Sequence, residues 1–416
     1  MKEQRITTLQ LGLHWFAERP GGLDRIYQNL IDALPAVGVD VHGLVAGSSR
    51  VEAASNGVVR AFAPPEASLL TRLRSVRREV RRSLKETDPD LVVSHFALYG
   101  APGLDLYKGR PLVSHFQGPW SAETEVERGS AGSSFSALAK TVLEGAVYRR
   151  STRIIVLSSA FRDVLQARFG IPDEVIRLIP GCVDVSRFEI RATRDAARAV
   201  FDLPTDRPIV VTVRRLARRM GIEDLIDSFR QVRHTVPDAM LVIVGGGALS
   251  GALHKRIDDL GLGDHVKLLG RIEDDKLPLV YRAADLSIVP TVALEGFGLT
   301  TIESLATGTP VLVTPVGGLP EAVCGLSPDL VLPNFGANAL AAGIIDALRG
   351  HLRLPSAEAC HAYARSGFDI SVKAASTAKV YREAVRVFGE RLPGVRTRTK
   401  PDEAEIVRRD IARRTR

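Results

Sequence analysis

Glu295 and Glu303 stand eight positions apart on either side of Gly-Phe-Gly-Leu-Thr-Thr-Ile, a glycine-interrupted turn that opens a helix expected to reach about Ala306. At such a helix start the backbone N–H groups of Phe297, Gly298, Leu299 and Thr300 lack intrahelical partners and the helix dipole favours negative charge. Gly296 and Gly298 would let a phosphate approach the main chain. Carboxylates repel phosphate but accept hydrogen bonds from hydroxyls, so a nucleotide sugar, whose hydroxyls flank its diphosphate, suits both features at once. The competing reading of the bare pair is an ordinary helix terminus with Glu303 on its solvated face.

Other residues could join this chemistry. Arg215 follows the apolar strand Ile209 to Val213, where a guanidinium at the carboxyl end of a strand could hold a diphosphate through paired N–H bonds. Arg214, Arg215, Arg218 and Arg219 could instead form a solvated basic loop, but Gly221, which opens the next helix, favours phosphate binding by Arg215, with Arg219 as a second candidate. Gly245-Gly246-Gly247 also follows an apolar strand. It is not a dinucleotide fingerprint, because the third glycine would fall at Ser250 and no acid ends the next strand, so nicotinamide chemistry is disfavoured. Gly21-Gly22 after the first strand can be an ordinary turn or a phosphate-facing one. His95 and His115 each end an apolar stretch and could exchange protons. Asp88-Pro89-Asp90 is read as a chain-turning segment rather than a metal site.

The elements that would position these residues alternate from end to end. Strands are expected at Leu9 to Leu13, Val39 to Val45, Leu91 to Ser94, Leu112 to Ser114, Ile154 to Leu157 and Val175 to Ile179, and a second series begins near Pro208. Apolar strands separated by helical stretches predict an α/β chain with parallel sheets covered on both faces. At 416 residues two doubly wound, Rossmann-like domains are the economical division. We place them at 1–188 and 189–373, with a linker between Cys182 and Arg194, a closing helix at about 374–392 and a charged tail at 393–416. Ligands of such sheets bind at the carboxyl ends of the strands, so the chemistry would lie in a cleft between the domains.

The run Tyr281 to Val323, YRAADLSIVPTVALEGFGLTTIESLATGTPVLVTPVGGLPEAV, resembles the retaining glycosyltransferases of family 4, which have the GT-B fold and carry paired glutamates at this point. The resemblance continues through Val210 to Leu216, Leu241 to Gly247 and Val266 to Arg271, and more weakly through Pro20-Gly21-Gly22, the histidine-containing strands and Ile179 to Asp184. It implies that Glu295, His115 and Arg215 serve catalysis, with Glu295 orienting the donor sugar and His115 beside it. Gly21, Gly22, Arg215, Arg219, Gly245, Gly298, Leu299, Thr300 and Glu303 would hold the donor, Glu303 through the ribose hydroxyls. It also implies that the last helix crosses back onto the first domain, that no metal is needed, and that the only cofactor-like molecule is the nucleotide sugar co-substrate. The family has a lysine five positions after its arginine; here that position is Met220, so Arg219 or Arg218 must supply the charge or the site is weakened. Kindred alternatives are a nucleotide-sugar epimerase or hydrolase of the same fold and a non-catalytic sugar-nucleotide sensor.

Composition sets the surroundings. Hydrophobic residues at 45% and charged residues at 25% are those of a globular protein. Three cysteines, Cys182, Cys324 and Cys360, lack metal-ligand spacing and point to a reducing compartment. No apolar run approaches a membrane span and Met1 to Gly12 lacks the core of a signal peptide, so the chain is expected in the cytoplasm. The net charge of +8 is concentrated in part on a basic amphipathic helix at 71–86, where Leu73, Val76, Val80 and Leu84 recur at helical spacing among seven cationic residues. Without interleaved aromatic residues it does not read as a nucleic-acid surface. It could be a solvated face or a peripheral membrane contact that brings the enzyme to a lipid-linked hydroxyl acceptor.

Overall fold

The computed structural model of the chain describes residues 5–120 and 134–391; the expected tail at 393–416 lies outside them. Seven parallel strands form the first sheet: β1 (Ile6–His14), β2 (Val39–Ala46), β3 (Val59–Ala63), β4 (Leu91–Ser94), β5 (Leu112–Phe116), β6 (Arg153–Val156) and β7 (Ile176–Leu178), in the order β3-β2-β1-β4-β5-β6-β7. Five more form the second: β8 (Ile209–Val213), β9 (Met240–Val244), β10 (Val266–Gly270), β11 (Leu286–Val289) and β12 (Val311–Val313), in the order β10-β9-β8-β11-β12. The strands read as unbroken apolar runs because both faces are covered. Leu91 and Val93 enter one core while Val92 between them enters the other, and Leu112 and Val113 divide in the same way. In each sheet the strand order reverses beside the first strand of that sheet, which leaves a crevice at the carboxyl ends of β1 and β4 and of β8 and β11.

Two boundaries differ from the sequence reading. The strand expected at Val175 to Ile179 is shorter, because Asp173–Val175 forms a single 3-10 turn after Pro172. The strand expected to end at Ser114 continues through Phe116, since His115 and Phe116 pair with Ile155 and Val156.

The two sheets are joined by two chain crossings that run side by side. Val183 donates its N–H to the Phe368 carbonyl, and Ile370 donates back to the Val183 carbonyl. After the second crossing the helix Ile370–Arg391 lies on the first sheet. Its Tyr381 hydroxyl is 2.9 Å from His115 Nε2, Arg382 donates to the Val37 carbonyl, and Glu383 receives both Arg153 and Arg177. Two further contacts cross the gap between the sheets. Asp274, from the second unit, pairs with Arg25 of the helix Gly22–Ala33 and with Arg187 of the linker. The Glu321 carboxylate caps the helix Ser159–Phe169, accepting from the Ser159 N–H at 2.9 Å and hydroxyl at 2.6 Å.

The basic helix spans Leu69–Glu86 and starts at Ser68, whose hydroxyl accepts from the Thr71 N–H. Val76 and Val80 are buried as the spacing requires. Several cations are held within the fold: Arg72 donates to the Tyr99 hydroxyl, Arg77 to Asp105 and the Pro102 carbonyl, and Arg82 to Glu86. Leu69 and Leu70 at its start are exposed. No helix among the described residues is long and apolar enough to cross a membrane.

Tyr381 is fully buried, so Tyr381→Ala should lower the unfolding free energy by about 3–5 kcal/mol. Tyr381→Phe, which removes only the partner of His115, should cost about 1–3 kcal/mol. Urea unfolding followed by circular dichroism separates the two; equal and small losses would show that the helix is not fastened there.

Candidate active site

Adjacency of β8 and β11 brings the arginine loop and the first glutamate to one edge of the second sheet. Beyond Val213 the chain turns beneath the glycine run that follows β9. Arg214 donates its N–H to the Val244 carbonyl, Leu216 to the Gly246 carbonyl, and Gly245 to the Gly270 carbonyl. Gly245 has φ +140, and a Cβ there would sit 1.9 Å from the Arg214 carbonyl oxygen. The glycine therefore makes room for the arginine loop; the sequence reading had assigned that room to a nucleotide.

The loop after β11 is fixed as closely. Thr314 donates its hydroxyl to the Thr291 carbonyl at 2.6 Å, and Gly318 donates its N–H to the Glu295 carbonyl at 3.0 Å. Leu294, immediately before Glu295, takes a left-handed conformation with φ 54, a strained state for a branched side chain that its surroundings must hold. Arg219 does so by donating Nη1 to the Leu294 carbonyl at 2.8 Å. Arg219 and Met220 are both buried, whereas Arg218 is exposed.

It is Arg214, beside the expected Arg215, whose guanidinium reaches Glu295: Nη2 donates to Glu295 Oε2 and to Thr291 Oγ1. Arg215 is on the same loop with its side chain exposed. Burial pushes the Glu295 carboxyl upward, but Arg214, with Arg219 and the Phe297 N–H behind it, brings it below the ordinary carboxylate range, so it is ionised at neutral pH. The Phe297 amide is thus engaged by Glu295 itself. The helix Leu299–Ala306 follows Gly298, whose φ of 77 only glycine adopts without strain. The amides of Gly298, Leu299 and Thr300 meet no protein acceptor among the described residues. Gly296 has a different use from the phosphate approach first assigned to it: a Cβ there would lie 2.6 Å from the ring of Phe161 on the first unit.

Glu303 lies one face along the same helix and accepts from the Tyr281 hydroxyl at 3.0 Å. Burial holds its pKa above the ordinary value against the opposing influence of Tyr281, Arg25 and Arg187. Arg25 belongs to the first turn of the helix that begins at Gly22, so the Gly21-Gly22 turn and the Glu303 carboxylate face the same gap. Among the described residues, apart from its chain neighbours, no atom lies within 4 Å of the place a Cβ on Gly22 would occupy. Sequence spacing had not singled out Arg214, Tyr281, Arg25 or Asp274, since each is brought in by a different loop.

The family model for glycosyl transferases group 1 matches residues 193–367, and that for glycosyltransferase family 4 matches residues 20–187. A D-inositol 3-phosphate glycosyltransferase of Streptomyces bingchenggensis is 30% identical over 72% of this chain and 68% of its own length. The chain belongs to this family of glycosyltransferases. Three other curated relatives match over 40 to 56% of their lengths, so the chain spans about half of those proteins. Among solved structures, sucrose-phosphate synthase from Thermosynechococcus elongatus superposes with a TM-score of 0.75 at 24% identity, covering 92% of this chain and 100% of that one. The Anabaena protein HepE, crystallised with UDP and glucose, gives 0.74 at 21%, covering 91% and 100%. These likenesses establish the GT-B fold.

In this member of the family the histidines of the first unit form a buried stack. The rings of His95 and His115 lie 4.2 Å apart, His95 Nε2 meets Gln10 Oε1 at 2.9 Å, and His115 Nε2 meets Tyr381. Burial pushes His115 down to about 3 and, with His115 adjacent, takes His95 well below its ordinary value. Burial, Arg19 and Arg72 lower His14 to about 4. The Asp88 and Asp90 carboxylates serve the fold, one paired with Arg110 and the other accepting from the Thr7 N–H.

Histidines with depressed folded pKa values take up protons first in the unfolded chain. Their stabilising contribution is complete above an unfolded pKa of about 6.5 and is lost below it at about 1.4 kcal/mol per pH unit for each. Asp24, raised to about 6 by burial, acts in the opposite sense, favouring the fold as pH falls from 6 towards its unfolded value. Glu303, also raised by burial, acts with Asp24, and the three histidines titrate against both. The melting temperature should therefore fall between pH 7 and pH 5, and His115→Gln should flatten the decline; a melting temperature that rises on acidification would contradict this balance.

Proposed function

We propose that the protein is a retaining transferase that moves a sugar from a nucleotide diphosphate donor to an acceptor hydroxyl, acting in the assembly of a polysaccharide, glycolipid or glycoside. The observation that carries this reading is the shared edge at which helix amides that meet no acceptor among the described residues, ionised Glu295, buried arginines and Glu303 meet. The diphosphate would take the amides of Gly298, Leu299 and Thr300 together with Arg215, while Arg219, expected from the sequence to share it, is buried against the Leu294 carbonyl and would act through the Glu295 loop instead. Glu295 would orient the sugar hydroxyls, and Glu303 the ribose. Gly21 and Gly22 would face the phosphate from across the cleft. A same-fold protein crystallised with UDP and glucose supports a nucleotide sugar as the donor.

As the bond from the anomeric carbon to phosphate breaks, positive charge grows on the ring and negative charge on the leaving oxygen. Preoriented amides and guanidinium groups stabilise the second charge, and the Glu295 carboxylate lies beside the first. Glu295 Oε2 is drawn into contacts with Arg214 and Thr291, and the Phe297 amide donates to the same carboxylate group, which favours an electrostatic and orienting role over that of a nucleophile. Retention then follows from attack on the face the phosphate leaves, with the phosphate taking the acceptor's proton. His115, buried against Tyr381, would shape the sugar-facing wall.

The acceptor would enter through the first unit. A cavity of about 640 Å³ lies at the carboxyl ends of β1 to β3, among Glu18, Arg19, Ser48, Ser49, Phe62 and Glu66. Exposed Leu69 and Leu70 border it in sequence, followed by the exposed Arg74, Arg78 and Arg81, which suits a lipid-linked acceptor presented at an anionic membrane surface.

Screening UDP-, GDP- and ADP-sugars for a rise in melting temperature should identify the donor, since binding stabilises in proportion to occupancy. Glu295→Ala and Arg215→Ala should each reduce transfer from it by about 100-fold or more, the exposed Arg215→Ala while leaving the fold intact; undiminished product would remove the reading. Leu69→Ser with Leu70→Ser should weaken sedimentation with phosphatidylglycerol vesicles without altering transfer to a soluble acceptor.

A further inference from the structure

We propose that Arg214 is a bridging residue of this site: one edge of its guanidinium positions Glu295 and the other supplies the diphosphate with the cation that Met220 cannot. The inference rests on the nucleotide-sugar reading above and concerns a residue that neither the glutamate pair nor Arg215 implicates.

The geometry carries it. Arg214 is anchored at its backbone by β9 and Gly245, and its side chain is only 7% exposed. Nη2 is committed to Glu295 and Thr291. Nη1 points to the helix start, where it meets Thr300 Oγ1 at 3.4 Å, the far limit of a hydrogen bond. Thr300 is among the residues whose amides meet no protein acceptor. A guanidinium carries five donors in a fixed plane, so Nη1 retains a hydrogen for a phosphate oxygen placed at those amides. The other candidates are otherwise occupied or placed: Met220 packs in the core, Arg218 is exposed, and Arg219 holds the Leu294 carbonyl.

One rigid cation touching both ends of the reacting bond has a chemical consequence. It stabilises the departing phosphate, and it keeps the carboxylate beside the sugar ring ionised. The charged groups that act on Glu295 are Arg214, from the loop after β8, and Arg219, from the 3-10 turn Arg218–Met220. Loss of Arg214 leaves Arg219 and the Phe297 N–H to oppose burial, so the carboxylate should protonate at higher pH.

The test compares wild type, Arg214→Gln and Arg214→Lys. Binding of UDP and GDP is read by thermal shift, and the pH profile of kcat/KM is read with the nucleotide sugar that stabilises the wild type. Arg214→Gln should weaken nucleoside diphosphate binding about tenfold, lower kcat by about 100-fold and move the acidic limb of the profile up by at least one pH unit. Arg214→Lys should keep the limb in place, because the charge remains, yet lose about tenfold in kcat because a point charge cannot span both partners. A folded Arg214→Gln with wild-type binding and an unmoved limb would overturn the proposal. So would wild-type kcat in Arg214→Lys, which decides the matter if the glutamine variant does not fold. Should the wild type bind UDP or GDP but transfer no sugar, the transfer reading fails while the binding arm still judges Arg214.

Discussion

The ion pair between Arg214 and Glu295 is the constraint around which the second unit is arranged. A charge pair this enclosed gains little net stability, because desolvation offsets most of the attraction, but removing one partner leaves a buried charge at about 3–5 kcal/mol. The loops that build it are correspondingly fixed. Gly245 yields to the Arg214 carbonyl, Gly317 to the Glu295 carbonyl at 2.0 Å, and Gly221 to the Pro290 carbonyl at 1.9 Å. Each has a positive φ, so a side chain at any of them meets both a backbone oxygen and an unfavourable conformation. Three strands thus spend their following glycines on placing two side chains, which is how a parallel sheet converts strand order into a rigid site.

The first unit depends on the same edge in a different way. Gly296, Gly181 and Gly318 allow close packing against Phe161, Phe297 with Leu299, and Ser158, so the glutamate loop is also the surface on which the two units meet. Asp274 and Glu321 reach across on either side of it, one to Arg25 and one to the start of the helix Ser159–Phe169. The final helix closes the arrangement from behind by fastening Tyr381 and Glu383 to the first sheet. Cleft geometry is therefore set by a few polar contacts around a glycine-lined seam, with a continuous apolar core beneath it.

Much of this was legible in the chain. Apolar runs separated by helical stretches gave both sheets, because strands covered on two faces must be apolar throughout, and the glutamate pair located the helix start. Residue-level placement was harder. Arg214 and Arg215 are indistinguishable by spacing, since the side-chain alternation of a strand ceases once the loop begins, and only the contact with Thr291 and Glu295 selects one of them. The glycines looked like phosphate-facing positions, yet Gly245 and Gly296 are required by a carbonyl and by an aromatic ring, neither of them local in sequence. His115 and Tyr381 are 266 positions apart, so no local pattern could have joined them.

A crystal structure of the protein with the nucleotide sugar that most raises its melting temperature tests the central claim most directly. The account predicts a diphosphate within hydrogen-bond distance of the Gly298 to Thr300 amides and Arg214 Nη1, the sugar hydroxyls on Glu295 and the ribose on Glu303. A nucleotide bound away from this edge, with the Arg214 and Glu295 pair undisturbed and remote from it, would contradict the account.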